Sequence, residues 1–156
     1  MNTKRNWPAR WKFYSFLVAL PPIVLSMHLV LYGDRIWREW RIWEVSTPLL
    51  CLIGFVSWFI HEQLDRRSER LYPELQDSRQ RILHKVAYVF LMVPATLGVI
   101  LGLYNYLHLA GFQLESIHIL EGLAIGFALN VLFRTLYEGN YIYWKNKQNR
   151  AEQEMI

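Results

Sequence analysis

The sequence predicts an all-α polytopic membrane protein with four transmembrane helices and both termini in the cytoplasm. Two observations carry this. The first is the arrangement of apolar residues, which make up 53% of the 156-residue chain. No charged side chain occurs in the 21 residues between Lys12 and Asp34, the 16 from Val45 to Ile60, or the 29 from Val86 to Leu114. A further 17, from Ile117 to Phe133, are interrupted only by Glu121. About 20 apolar residues cross a hydrocarbon core as helix, whereas a soluble helix shows a polar stripe along its length. The second is the placement of Lys and Arg. Fourteen lie in the N-terminus, the 61–85 loop and the C-terminal segment from Arg134, against only Arg35, Arg38 and Arg41 in the 33–44 loop and none in 109–114. The positive-inside rule converts this into an N-in, C-in topology. The net charge of +4 is then topological and lipid-facing, and binding of nucleic acid by this chain is not expected.

Spans are expected at about 12–32, 45–62, 86–108 and 115–137, with the second the shortest. The first follows a basic start (Lys4, Arg5, Arg10, Lys12) but lacks a small-residue cleavage site, so it reads as a retained helix and not a signal peptide. Trp7 and Trp11 mark its cytoplasmic end. Pro21-Pro22 near its middle removes backbone donors, giving either a packing kink or a hinge beside a pocket. The outer loop from Gly33 to Glu44 alternates Trp37, Trp40 and Trp43 with charges, which suits a short interfacial helix. Ser46-Thr47-Pro48 would then cap the second span and open its first turn. Residues 61–85 form a polar helical exit broken at Pro73, too short for an independent domain. Gly98 and Gly102 in the third span, and Gly122 and Gly126 in the fourth, are spaced for close helix packing within one chain or across a dimer seam.

The fourth span holds the residues that are most expensive in lipid. Glu115, His118 and Glu121 spread over a broad sector of one face, and ionisable groups at such depth are functional candidates by default. Desolvation should favour the neutral acid at Glu121 unless it is paired. His28 and His108 should lie at similar depth, so the five side chains could form one polar pocket open to the outside. A structural hydrogen-bonded cluster, a ligand-sensing pocket and a metal or proton-relay site all remain possible readings. The last is poorly supported, because the single Glu-x-x-His lacks the further carboxylates of metal-binding bundles, and no metal ligand is assigned. Arg134 and Glu138 read as an i, i+4 pair at the cytoplasmic boundary. The lone Cys51 excludes an intrachain disulfide and a Cys-based metal site. A Gly-rich phosphate loop, Gly-x-Ser-x-Gly and His-Glu-x-x-His are all missing, so catalysis by this chain is not expected.

Two patches carry a resemblance. Leu64-Asp65-Arg66-Arg67, with Leu71-Tyr72-Pro73 and Arg79-Gln80-Arg81-Ile82-Leu83, resembles the loop between the second and third membrane helices of LytS-like sensor histidine kinases of the four-helix Bacteroidota type. The stretch from Leu136 to Lys145 looks like their exit from helix four, with Tyr137, Glu138, Tyr141 and Trp144 at the matching positions. Membrane-bound LytTR regulators share a similar region. The resemblance implies a sensor domain over 1–145 and a connector helix beginning at 146–156. It also implies a homodimer in a bacterial inner membrane, signalling to a response regulator. ATP and Mg would belong to a parent kinase domain; this chain is expected to carry no cofactor, and the family's phosphoacceptor motif is not in it. The alternatives are a stand-alone small membrane protein, either transporter or structural subunit, and the input module of a LytTR regulator.

Overall fold

The computed structural model describes residues 9–73 and 76–154. Lys4, Arg5 and Trp7 lie outside the described residues. The protein is an all-α polytopic membrane protein, with four helices long and apolar enough to cross a bilayer. They are α1 (Ala9–Tyr32), α2 (Trp40–Leu71), α3 (Ser78–Leu107) and α4 (Ser116–Glu154). Short 3-10 turns lie between α1 and α2 and between α3 and α4. Each helix packs against its neighbours in sequence and α4 closes back on α1, giving an up-down bundle. One end holds the start of α1, the α2–α3 connection and the exit of α4, and is called the basic end. The other is the tryptophan end.

α1 runs unbroken through Pro21 and Pro22. The prolines leave the carbonyls of Leu17 and Val18 without their helical donors, and the Ser26 hydroxyl donates to the Pro22 carbonyl one turn on. Gly33 turns the chain at a φ of +53°, in the left-handed region that glycine tolerates. The expected interfacial helix over 33–44 is not a separate element. A 3-10 turn covers Gly33–Trp37, Glu39 is extended, and α2 starts at Trp40. Ser46 and Pro48 therefore lie inside α2, and Ser46 is no N-cap: it is fully buried and hydrogen-bonds the Tyr104 hydroxyl at 2.7 Å. The tryptophans divide accordingly. Trp37 and Trp40 are exposed, while Trp43 turns inward, stacks on His28 at 4.5 Å and donates to the Ile36 carbonyl.

α2 continues past the apolar span through its charged exit to Leu71. Tyr72 leaves the helical region because Pro73 follows it. α3 ends at His108, which adopts the left-handed conformation at φ 45°. α4 has 39 residues, about 58 Å at 1.5 Å per residue, which is nearly twice a hydrocarbon core. The segment from Tyr137 to Gln153 is thus a direct continuation of the transmembrane helix, passing through Gly139 without a break.

Burial concentrates at the tryptophan end. Tyr32, Tyr104 and Phe112 meet with centroids 6.0–6.3 Å apart, and Val24, Met27, Leu31, Ile36, Ile42 and Leu101 pack round them. The Tyr32 hydroxyl donates to the Leu109 carbonyl, and Arg35 donates to the Ala110 carbonyl while pairing with Glu39 at 2.8 Å. These contacts join the two loops of that end. The Arg35 hydrogen bonds hold the Glu39 carboxyl below the usual carboxylate range. Along the helices the outward faces carry large apolar side chains such as Val18, Leu91 and Leu120, as a lipid-facing surface requires.

The glycine pairs behave differently from one another. A Cβ on Gly122 would lie 2.6 Å from Leu97, and one on Gly126 would lie 2.8 Å from Val93, so α4 meets α3 through these two positions. Gly98 and Gly102 are exposed, with open space where a side chain would be. They take no part in the α3–α4 contact.

Candidate functional site

The basic end is built by opposite charges placed one or two turns apart on inward faces. Glu62, Asp65 and Glu69 share a face of α2, Arg81 and Lys85 a face of α3, and Arg134 and Glu138 a face of α4. Lys12 comes from α1. Arg81 is fully buried. Its Nε and Nη2 donate to Glu138 Oε1 at 2.9 and 2.7 Å, and its Nη1 donates to the Tyr72 carbonyl. The guanidinium lies 4.6 Å from the centre of the Tyr141 ring. Lys85 donates to the other Glu138 oxygen at 3.1 Å and sits 3.6 Å from Glu69. Lys12 reaches Glu62 at 3.4 Å and Glu69 at 3.5 Å, and Arg66 pairs with Glu62 at 2.9 Å. One continuous chain of ion pairs therefore crosses all four helices.

Beside it, Arg134 Nη1 donates to Asp65 at 2.6 Å and Nη2 donates to His61 Nδ1 at 2.8 Å. As an acceptor at Nδ1, His61 is held neutral with its proton on Nε2. The expected Arg134–Glu138 pair is replaced by contacts to other helices. Both side chains point into the bundle, where α2 and α3 supply partners with better geometry than their own neighbour on α4. Arg134 Nε is buried and has no hydrogen-bond partner among the described residues.

Between the ion pairs and the tryptophan-end core lies a partly open cavity of about 210 Å³, lined from all four helices. Its walls are Phe16, Ile23, Met27, Ile53, Leu97 and Ile125 over most of its length. At the basic end they become Lys12, His61, Asp65, Asn130, Arg134 and Tyr137. Midway, the hydroxyls of Ser57 and Thr96 satisfy each other at 3.2 Å.

The residues expected to converge at the outer end do so only in part. Glu115, His118 and Glu121 line one shallow depression with Tyr32, Arg35 and Phe112, and both glutamates are exposed. His118 Nδ1 accepts from the Glu115 backbone N–H at 2.9 Å, a hydrogen bond that secures the start of α4. His28 and His108 do not line this depression. His28 is fully buried, with Nδ1 bonded to the Val24 carbonyl, and His108 is an exposed helix cap. The single pocket of five residues is therefore corrected to three side chains on an open surface, because helical phase turns His28 toward α2 and His108 to solvent. Among the described residues no group of three His, Cys, Asp or Glu side chains is placed to hold a metal ion.

The exit residues take defined positions. Tyr137 lines the cavity, Glu138 is the acceptor of the ionic chain, and Tyr141 lies under Arg81. Trp144 contacts Tyr143 edge-on and carries Lys147 over its face. Sequence reasoning passed over Lys12, Glu62, Glu69 and Lys85. The available signal was the recurrence of opposite charges at matching depth near the ends of four apolar spans. Comparison with known protein families, with characterised proteins and with solved structures finds no match to this chain.

Proposed function

We propose that this chain is the membrane input module of a signalling protein, with the central cavity as its sensing element and α4 as its output. The observation that carries the reading is the position of Arg134 and Glu138. Glu138 closes the ionic chain and Arg134 pairs beside it with Asp65 on α2, and both sit on the helix that continues straight out of the bundle. A stimulus that alters cavity packing acts on Arg134 and its partners His61 and Asp65, which line the cavity, and through Arg134 on α4.

With the positive-inside rule, the basic end faces the cytoplasm and the connector delivers the movement there. The module works as a homodimer in a bacterial inner membrane. Its output is a histidine kinase core, on the likeness of the Leu64–Arg67 and Tyr137–Lys145 stretches to the LytS-like pattern. The physical requirement is two packings of similar free energy, one of which binds the stimulus better. Buried ion pairs suit such a switch, since exchanging one partner for another changes helix position by an ångström or two without exposing a bare charge.

Spin labels at Arg70→Cys and Gln148→Cys, in a Cys51→Ser background in nanodiscs, test this by pulsed EPR. Glu138→Gln and Asp65→Asn should each shift or broaden the distance distribution between α2 and the connector. Identical distributions in folded wild type and both variants would remove the coupling. A transporter of the same architecture would instead show substrate flux in proteoliposomes with the connector fixed.

A further inference from the structure

The two ends of the bundle sort their charges differently. At the basic end Glu62 and Glu138 are buried, Asp65 and Glu69 are half-buried, and all four are spent on the ion pairs inside. Arg66, Arg67, Arg70, Arg79, Lys147 and Arg150 are exposed. Asp77 is half-buried, and among the residues with described side chains no carboxylate at this end is exposed. At the tryptophan end Arg35, Arg38 and Arg41 share the surface with Asp34, Glu39, Glu44, Glu115 and Glu121, all exposed, so both signs are presented there. We propose that the basic end carries a collar selective for anionic phospholipid headgroups, centred on Arg67, Arg70 and Arg79. It holds for either orientation of the bundle and is independent of what α4 transmits.

Depth places the collar against the headgroups. The uncharged run of α2 ends at Ile60, and Arg67 follows seven residues later, about 10 Å of helix, with Arg70 one turn beyond. Arg79 precedes Val86, where the uncharged run of α3 begins, by the same seven residues. The headgroup layer fills roughly the first 5–8 Å outside the hydrocarbon. Side chains on a helix lean toward its N-terminus, which on α2 points back into the bilayer, so Arg67 and Arg70 reach down to that layer. On α3, Arg79 shares a face with Ile82, Leu83 and Val86, all three exposed. Leu71 is exposed one turn after Arg67. Arginines interleaved with exposed apolar side chains fit a lipid interface, where the stems and the leucines meet hydrocarbon and the guanidiniums meet phosphate. They also continue a surface that meets lipid along its whole length below.

Charge selects the lipid. Arg67, Arg70 and Arg79 have no ion pair among the described residues, so their guanidiniums are free to donate to phosphate oxygens, two at a time. Phosphatidylcholine offers the phosphate but brings a choline cation with it, and the collar exposes no carboxylate to receive that cation. A headgroup of net negative charge, such as phosphatidylglycerol, meets the arginines without this penalty.

The purified protein is reconstituted in phosphatidylcholine bilayers with a trace of chain-spin-labelled phosphatidylglycerol or of phosphatidylcholine labelled at the same carbon. EPR reads the fraction of each label immobilised at the protein, and the ratio gives their relative association constant. Phosphatidylglycerol should be held about fivefold more tightly at low salt, the worth of one cation beside an anionic surface. In about 1 M salt, where the Debye length is about 3 Å, the ratio should fall toward unity. Combined Arg67→Gln, Arg70→Gln and Arg79→Gln should remove most of the preference. Combined Arg38→Gln and Arg41→Gln should leave it in place.

Equal immobilisation of the two labels by wild type would overturn the proposal and leave the collar to an acidic protein partner. A preference that survives high salt would assign the selection to headgroup size instead of charge and overturn it equally; this arm needs only wild type, so the test stands if the triple variant does not fold. An undiminished preference in the folded triple variant would remove these three arginines from the site, and its loss in the Arg38, Arg41 variant would move the site to the tryptophan end.

Discussion

Arg81 is the residue on which the basic end depends most. Its guanidinium is fully buried and satisfies Glu138, the Tyr72 carbonyl and the face of Tyr141 together. Breaking such a pair leaves an uncompensated charge, so Arg81→Met should destabilise the bundle by about 3–5 kcal/mol. Replacing both partners by apolar residues of similar volume should recover much of that loss. Unfolding of the single and double variants in detergent, followed by tryptophan fluorescence, checks both. Tyr104→Phe makes a smaller test at the other end. It removes the hydroxyl shared with Ser46 and should lower stability by about 1 kcal/mol, with no change expected at the connector.

At the scale of elements, the glycines give a clear contrast. Gly126→Leu places a branched side chain where a Cβ already lies 2.8 Å from Val93, so overpacking should cost about 1–3 kcal/mol and separate α3 from α4. Gly98→Ala meets nothing, and should stabilise α3 by up to about 1 kcal/mol through helix propensity alone. Thermal unfolding of the two variants side by side distinguishes a packing seam from an outward face. Gly139 belongs with Gly98 in this respect. It stands exposed in a helix that does not bend there, and Gly139→Ala should tighten the connector without touching the bundle, seen as a narrower spin-label distance distribution. A larger response would mean that Gly139 is itself the hinge.

The whole molecule poses the question of orientation. If the basic end is cytoplasmic, Gln148→Cys in intact cells is shielded from a membrane-impermeant maleimide and Arg38→Cys is labelled. The opposite pattern would reverse the topology and with it the direction of the signalling proposed above. Both positions are exposed, so accessibility in the fold does not confound the readout.

The number of membrane-length helices and the helical exit could be read from the sequence, because each depends on local composition. Uncharged runs of this length have no other stable state in lipid, and a stretch of helix formers between Arg134 and Gln153 has nothing to stop it. Tertiary structure alone decided which polar residues meet. Glu115, His118 and Glu121 looked buried because depth was inferred from distance along the chain, but helical phase turns the two glutamates outward. Arg134 and Glu138 looked like a pair because they are neighbours on one helix, yet each found its partner on another. Depth in the membrane follows from position in the sequence, whereas the direction a side chain faces is fixed only when four helices choose how to pack. That choice gathers Lys12, Glu62, Arg81 and Glu138 at one end and leaves a cavity above them.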